Sequence, residues 1–291
     1  MNKKHIGVLA VIVASIMWAI EPIFAKELSL RNIDVFQTSA IRAVFAALTA
    51  LVYILFTKKL DFRVNKQQFS TMLYIAVVGT LFADFMYFFA LMQMQTPVVN
   101  AVIIGHMQPI FIILLAFLVL KGDRLTRFDY LGICLMITAG ILVTTKTFGN
   151  FAAFKFGTIG DLFVLSATVA WATTAIAMRK YIKDLNAGIV TFYRFIFASS
   201  FFLIYLIITS KLGISNVYQI FVGIVVGIGT IFYYEGLKRL KAAQVSGLEL
   251  STPLFAAFLA FFIFGETVTE IQIVGILLLF IGIYLMSKKE K

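Results

Sequence analysis

Three carboxylates stand inside long apolar stretches of this 291-residue chain and are the first residues that could do chemistry. Glu21 precedes Pro22, Asp84 stands in GTLFADFMYFFAL, and Glu249 stands in VSGLELSTP. A charge at the centre of a bilayer costs about 2.5–3.5 kcal/mol on insertion scales, so such side chains face a protein interior or a wet cavity. Each could bind a cation, a proton or an amine. The alternative is a structural ion pair, for Glu21 with Lys26 and for Asp84 with a buried arginine.

Aromatic and neutral polar residues accompany these carboxylates. Tyr87 follows Asp84 by three residues and shares its helical face, and a carboxylate beside an aromatic ring suits an ammonium group. His106 could relay protons, although a single histidine in a helix also serves as a hydrogen-bonded packing residue. Three further residues could line a cavity or simply pack: Asn100, Trp18 and Trp171.

Two arginines, Arg42 and Arg194, also fall inside apolar stretches. We expect them to pair with carboxylates as part of the scaffold; the alternative is a clamp for the carboxylate or phosphate of an anionic ligand. One cysteine and two histidines cannot build a metal cluster or a disulfide framework, and no phosphate-binding GxxxxGK[ST] segment is present. We therefore predict neither a metal nor a cofactor.

The elements that carry these residues are predicted to be transmembrane helices. The chain is 61% hydrophobic and only 13% charged, with a mean hydropathy of +0.98, whereas soluble domains are about 45–50% apolar and about 25% charged. Continuous apolar runs of about 20 residues fit helices that cross a hydrocarbon core of about 30 Å, and they do not fit the alternation of β-barrel strands. The predicted spans are 6–26, 35–56, 70–92, 98–120, 127–146, 158–179, 187–209, 215–237, 243–264 and 268–286.

The loop charges give these ten spans an orientation. With the N-terminus in the cytoplasm, 18 of the 25 lysines and arginines fall in cytoplasmic segments and 5 in outer loops. This distribution follows the positive-inside rule. It predicts a multi-pass protein of the cell (inner) membrane with both termini cytoplasmic, and it explains the net charge of +11 without nucleic acid.

The chain also contains an internal repeat. Trp18 and Trp171 are 153 residues apart, Arg42 and Arg194 are 152 apart, and both pairs stand in similar contexts. The prolines at 109 and 253 repeat at an offset of 144. We therefore predict an all-α membrane protein of two five-helix repeats, residues 1–147 and 156–287. Because five is odd, the repeats are inverted in the membrane, which is typical of secondary transporters with a site near the midplane.

The repeat also helps to distinguish structural residues from functional residues. A feature present in both halves is expected to be scaffold, whereas a polar group in one half breaks the symmetry and is the better candidate for a functional group. By the same offsets the candidates fall on residues of another type: Glu21 on Thr174, Asp84 on Thr230, Glu249 on Gly105, and His106 on Leu250.

These repeated residues resemble a known family. A tryptophan followed by a basic residue in the first span of each half, an arginine in the second, a proline in the fourth and Gly-Asp/Glu-x-x-Thr before the fifth are similar to the EamA-type drug/metabolite transporters, over residues 6–286. The resemblance implies ten helices in two five-helix repeats. It also implies a central cavity lined mainly by the first, third and fourth helices of each half, and transport of amino acids or other small metabolites. One departure is the spacing from Leu91 to Pro109, 18 residues, against 16 from Leu237 to Pro253.

The sequence therefore predicts a secondary transporter that exports a small metabolite (an amino acid, amine or related solute) by alternating access. Proton coupling through Glu21, Asp84 or Glu249 is a hypothesis that follows from their position. The alternatives are uptake or exchange of an organic anion or nucleotide-like metabolite, and a membrane sensor or channel. Short loops disfavour a membrane enzyme. The expected partners are the lipid bilayer, a small-molecule substrate and no nucleic acid, with protons and a homodimer left open.

Overall fold

The computed structural model describes residues 3–58, 61–119, 127–153, 157–182, 185–240, 245, 248–249 and 251–286. Within these ranges the chain forms helices and no strand. In chain order the helices are α1 (Lys3–Leu30), α2 (Val35–Thr57), α3 (Lys66–Met92), α4 (Val98–Gly105), α5 (Gln108–Val119), α6 (Arg127–Thr145), α7 (Phe148–Ala152), α8 (Ile159–Tyr181), α9 (Ala187–Ile208), α10 (Val217–Leu237), α11 (Ser251–Phe264) and α12 (Glu270–Met286).

Some predicted features lie outside the described residues. They include the end of the fourth predicted span at residue 120 and most of residues 243–250 at the start of the ninth. They also include nine of the basic loop residues used for the orientation: Lys59, Lys121, Arg124, Lys155, Lys183, Lys241, Lys288, Lys289 and Lys291.

The helices confirm the prediction of an all-α membrane protein. Six are long and apolar enough to cross a bilayer by length and composition: His5–Leu30, Val35–Thr57, Lys66–Met92, Ile159–Met178, Ala187–Ile208 and Val217–Leu237. Shorter apolar helical segments cover Val98–Ile112 (α4 and the beginning of α5), Tyr130–Thr145, Ser251–Phe264 and Glu270–Leu285. The number of ten crossings stays a prediction, because these segments are shorter than the about 20 residues that usually span a hydrocarbon core.

The fourth predicted span, residues 98–120, is not one continuous helix in the structure. α4 ends at Gly105 and α5 begins at Gln108, with His106 and Met107 in a turn between them. Pro109 explains the break. It has no N–H to donate to the carbonyl of Gly105, and its ring would collide with that carbonyl in a continuous helix.

α3 changes its winding in the middle. Residues Ile75–Asp84 form a π-helix, flanked by α-helix on both sides. A π-helix bonds residue i to residue i+5; it is rare, occurs mostly as a short interruption of an α-helix, and is frequently found at functional sites. This stretch carries Gly79, Thr80 and Asp84, which all contact the charged residues described below.

Equivalent helices of the two halves make equivalent contacts with the other half. α1 packs against α10, and α8 packs against α3; α2 pairs with α9 and α6 with α12. The two repeated tryptophans, one in α1 and one in α8, lie in these equivalent contacts. A Cβ built at Gly229 of α10 would lie 2.9 Å from Nε1 of Trp18, and the Nε1 of Trp171 donates to the carbonyl of Gly79 in α3 at 3.3 Å. The first helix of each half therefore packs on the third helix of the other half.

Small residues allow these close approaches. A Cβ at Gly223 of α10 would lie 2.6 Å from the carbonyl oxygen of Arg42, and one at Gly227 would lie 3.1 Å from the Cα of Ala46. The backbones of α2 and α10 thus meet without intervening side chains, as is common between helices in membranes. This contact places the Arg42 side chain deep between the halves.

Candidate functional site

A cavity of about 700 Å³ lies between the two halves. This is within the size range of about 300–1,000 Å³ that is usual for small-molecule sites. It extends from the buried middle of the molecule to Leu185 after α8 and to the exposed Lys238 after α10. We name the side of the molecule at this end the Lys238 face. The opposite side, where α8 begins at Ile159, is the Asp161 face. Nine of the ten predicted site residues line the cavity: Trp18, Glu21, Arg42, Asp84, Tyr87, His106, Trp171, Arg194 and Glu249.

Arg42 connects the two buried carboxylates of the first half. Its Nε and Nη2 donate to Oε1 of Glu21 at 2.8 and 2.6 Å, and its Nη1 donates to Oδ2 of Asp84 at 3.1 Å. The ring of Phe88 covers the guanidinium, with its centroid 4.8 Å from Cζ. Lys26, considered above as a partner of Glu21, instead donates to the side-chain oxygen of Gln95 at 3.0 Å.

Asp84 also binds the second half of the chain. Nη2 of Arg194 lies 3.1 Å from each of its oxygens, and Nε1 of Trp171 donates to Oδ1 at 2.7 Å. Arg194 is held in place by a bond from its Nε to Oγ1 of Thr80, at 2.8 Å. Asp84 thus joins three helices of both halves, and the π-helical stretch of α3 supplies both its carboxylate and the Thr80 oxygen.

The four buried charges balance. Glu21 and Asp84 carry two negative charges, Arg42 and Arg194 carry two positive ones, and all four are buried or nearly so. A buried charge is tolerated only when it is paired and hydrogen-bonded. The pairing uses just one oxygen of Glu21: no hydrogen bond from a described residue reaches Oε2, although Glu21 lines the cavity. The cluster therefore leaves an acceptor directed to the cavity side.

The comparisons with known proteins agree with this architecture. The model of the EamA-like transporter family matches the chain twice, at residues 5–145 and 158–288. The chain belongs to the EamA-like transporter family. The two matched ranges together cover nearly the whole sequence.

Named relatives of this EamA-like protein are transporters as well. YyaM of Bacillus subtilis, an uncharacterized transporter, is 25% identical over 86% of this chain and 84% of its own length. YhbE of Escherichia coli, an uncharacterized inner membrane transporter, is 25% identical over 88% and 81%. An uncharacterized transporter of Synechocystis sp. is 29% identical over 65% of this chain, and the match spans 57% of that relative. A crystal structure aligns over 96% of both chains with a TM-score of 0.68 at 17% identity, which shows the fold alone.

The break between α4 and α5 brings further groups of the EamA-like protein to the cavity. Nδ1 of His106 lies 2.7 Å from the carbonyl oxygen of Val102, so Nδ1 carries the proton and Nε2 is the acceptor of the neutral ring. A Cβ at Gly105 would lie 3.8 Å from Cζ3 of Trp171. The Trp171 indole therefore lies between Asp84, to which it donates, and the break in the fourth span.

Asn100, the tenth predicted site residue, lies outside the cavity. It is fully buried, and its Nδ2 donates to Oδ1 of Asp161 at 3.3 Å while its Oδ1 accepts from Nε2 of Gln272 at 3.0 Å. This group, here named the Asn100 cluster, joins α4 of the first half to α8 and α12 of the second. The structure places Asn100 in a contact between the halves and not among the cavity groups.

Further polar contacts tie the halves together at the Asp161 face. The carboxylate of Glu266 accepts from the N–H groups of Val98 and Val99 at the start of α4, at 3.1 and 3.3 Å. Lys211 forms an ion pair with Asp34 at 2.9 Å. Burial alone would raise the pKa of Asp34, but the N–H of Gln37 and the ammonium of Lys211 outweigh it and hold the pKa below its usual value. The Asp161 face is thus closed by bonds between the halves, whereas the cavity reaches the Lys238 face.

Sequence reasoning missed several cavity residues, of which four had a signal in the repeat. Gln108 and Thr252 both line the cavity, and each directly precedes one of the repeated prolines. Their offset of 144 equals that of the prolines, so they are counterparts in the two halves. Thr174 and Thr230 also line the cavity as the counterparts of Glu21 and Asp84, whereas the lining residues Tyr233 and Tyr234 carry no comparable signal.

Proposed function

We propose that this transporter exports a small solute with a cationic amine, such as an amino acid or a related amine, by alternating access. The observation that carries the proposal is the buried Glu21 carboxylate, which lines a cavity of about 700 Å³ and keeps one oxygen without a hydrogen bond from the described residues. A charge-assisted hydrogen bond to such an oxygen is worth about 1.5–3 kcal/mol.

The aromatic lining supports a cationic solute. Trp18 and Tyr233 lie with ring centroids 4.9 Å apart, and Tyr87 and Trp171 lie 5.5 Å apart, all along the cavity. Aromatic faces attract ammonium groups and also accept the apolar part of an amphipathic molecule. Glu21 and these rings together provide the charge and the surface that an amine requires.

The arginines do not favour the alternative of an organic anion. Arg42 uses Nε, Nη1 and Nη2 on Glu21 and Asp84, and Arg194 uses Nε and Nη2 on Thr80 and Asp84. An anion would have to displace a carboxylate that is already buried with its partner. That exchange would expose the displaced charge to an apolar surrounding.

The equivalent contacts that each half makes with the other support alternating access. We propose that the two family matches are two five-helix repeats in inverted orientation, so that each half can take the other's role. Bonds between the halves close the Asp161 face, and the cavity reaches the Lys238 face. The loop charges predict that the Lys238 face is cytoplasmic, so a solute enters from the cytoplasm in this state, which is the first step of export.

Replacement of Glu21 by glutamine tests the proposal. We expect flux of the solute to fall roughly 10–100-fold, because a charge-assisted hydrogen bond is exchanged for a neutral one. The solute is first found by thermal-shift screening of the purified protein against amino acids, primary amines, nucleosides and organic acids. Its flux is then measured in proteoliposomes.

A matched control lies two turns further along α1. Glu27 pairs with Arg31 at 2.7 Å in an exposed position, so Glu27→Gln should leave flux unchanged. Thermal unfolding of both variants separates lost transport from lost folding. If Glu21→Gln is folded and carries solute at the wild-type rate, or if only organic acids stabilise the protein, the amine proposal is wrong.

We also propose that protons drive the export, with Glu21 or Asp84 as the carrier group because both carboxylates are buried at the cavity. We expect a pH gradient that is acidic at the Asp161 face to accelerate solute efflux through the wild-type protein, and Glu21→Gln to abolish that acceleration in its remaining flux. The measurement is solute flux in proteoliposomes with and without an imposed gradient. A wild-type rate that ignores the gradient contradicts coupling and leaves facilitated diffusion or exchange.

A further inference from the structure

We infer that the cavity contains a second binding subsite, formed by Gln108 and Thr252 with His106, for a neutral hydrogen-bonding group of the solute. The inference rests on the proposed function, because it adds a second requirement to the same solute. A solute that satisfies both sites carries an amine at one end and a hydroxyl or amide group at the other.

The first support is a buried hydroxyl without a partner. Thr252 is 1% exposed and lines the cavity, yet its Oγ1 has no hydrogen-bond partner in the part of the chain that the structure describes. Leaving a buried hydroxyl unbonded costs about 1–3 kcal/mol, so native proteins rarely do it without a reason. A ligand group that bonds Oγ1 removes this cost, and the hydroxyl can serve it as donor or acceptor.

The second support is the repeat. Gln108 of the first half and Thr252 of the second stand at equivalent positions, directly before Pro109 and Pro253. Both line the cavity, and α11 packs against α4, which ends just before Gln108. The side-chain amide of Gln108 forms no hydrogen bond with the described residues, in contrast to the bonded amides of Asn100 and Gln272.

The third support is the fixed orientation of His106. Its Nδ1 is occupied by the carbonyl of Val102 at 2.7 Å, which leaves Nε2 as an acceptor in a residue that lines the cavity. The subsite therefore offers an amide, a hydroxyl and an imidazole acceptor, and none of the three groups needs a charge on the ligand. These groups match a hydroxyl or an amide, each of which both donates and accepts.

Trp171 separates this subsite from the charge cluster. Its Nε1 donates to Asp84 at 2.7 Å, and its Cζ3 lies 3.8 Å from a Cβ built at Gly105, directly before His106. A solute that reaches from Glu21 to the subsite therefore passes along the indole. This arrangement selects a molecule with two polar ends and a short apolar middle.

Binding of matched probes to the purified full-length protein tests the inference. The probes are a primary alkylamine, an amino alcohol of equal length and an amino amide of equal length. We expect the wild type to bind the amino alcohol and amino amide about tenfold more tightly than the alkylamine, which corresponds to about one hydrogen bond. Thr252→Val and Gln108→Met should each remove most of that preference while retaining the affinity for the alkylamine.

Controls distinguish the possible failures. Thr191 is fully buried but its hydroxyl donates to the carbonyl of Ala187 at 2.8 Å, outside the cavity, so Thr191→Val should lower the melting temperature and keep the preference. Thr252→Val should not lower the melting temperature, because its hydroxyl is unbonded. If the double variant Gln108→Met, Thr252→Val still prefers the amino alcohol tenfold, the subsite is refuted. If Glu21→Gln retains full affinity for the alkylamine, the proposed function fails instead.

Discussion

Replacing Asp84 by asparagine is expected to destabilise the protein by about 3–5 kcal/mol and to abolish transport. Asp84 is 4% exposed and neutralises Arg42 and Arg194, both of which lie 3.1 Å from its oxygens. Asparagine keeps the shape but removes the charge, so two buried guanidiniums remain with the single carboxylate of Glu21. The cost is that of an uncompensated buried charge, which exceeds the cost of a lost surface pair.

The measurement is denaturant-induced unfolding in detergent, together with flux in proteoliposomes. Asp61→Asn is the matched control, because Asp61 is exposed and, among the described residues, accepts a hydrogen bond from the N–H of Arg63 alone. The double variant Asp84→Asn, Arg194→Gln restores the charge balance and should recover part of the lost stability but not the flux. Unchanged stability of Asp84→Asn would show that the four charges do not act as one balanced cluster.

The second large effect is expected from Gln272→Leu, which disrupts the Asn100 cluster. Gln272 donates to Asn100 at 3.0 Å and to the carbonyl of Val143 at 3.3 Å, and it is 4% exposed. Its loss leaves the Asn100 oxygen without that donor and weakens the bonds that close the Asp161 face. If the state with the Asp161 face closed loses about 2 kcal/mol of stability, the ratio of open to closed protein rises roughly 30-fold.

Thiol labelling measures this shift directly. Cys134 is first replaced by serine, and Val102, which lines the cavity, is replaced by cysteine. A membrane-impermeant thiol reagent added at the Asp161 face should label the Gln272→Leu variant roughly 30-fold faster than its parent, which follows from the population shift. Gln67→Leu, an exposed glutamine at the start of α3, is the matched control. If melting temperature falls while labelling stays constant, the cluster supports the fold but does not close a gate.

Sequence patterns predicted the elements better than the contacts between them. Long apolar runs fix where a helix crosses the bilayer, because the hydrophobic effect acts on each run independently of the others. The partners of a charge depend on packing: Arg194 meets Asp84 across 110 residues of chain. The repeat singled out Asp84 as a candidate, but it gave no indication that Trp171 and both arginines would converge on it.

Asn100 and the fourth span show two further limits. A polar residue in an apolar helix indicates that something polar is near, but its face cannot be read without the neighbouring helices, so the sequence leaves Asn100 either at a cavity or in packing. Pro109 was visible in the sequence, yet hydropathy alone treats 98–120 as one run. The missing N–H decided the outcome and separated α4 from α5.

The single carboxylate at position 84 has a kinetic consequence. Its counterpart Thr230 carries no charge, so under the alternating access proposed above the arginines would meet a hydroxyl where a carboxylate stood. We therefore expect the two end states of the proposed cycle to differ in free energy even without solute, with the empty carrier resting in the state that the structure shows. We expect its return after unloading to be fast and the loaded reorientation to be slow, which makes the latter the step that limits turnover.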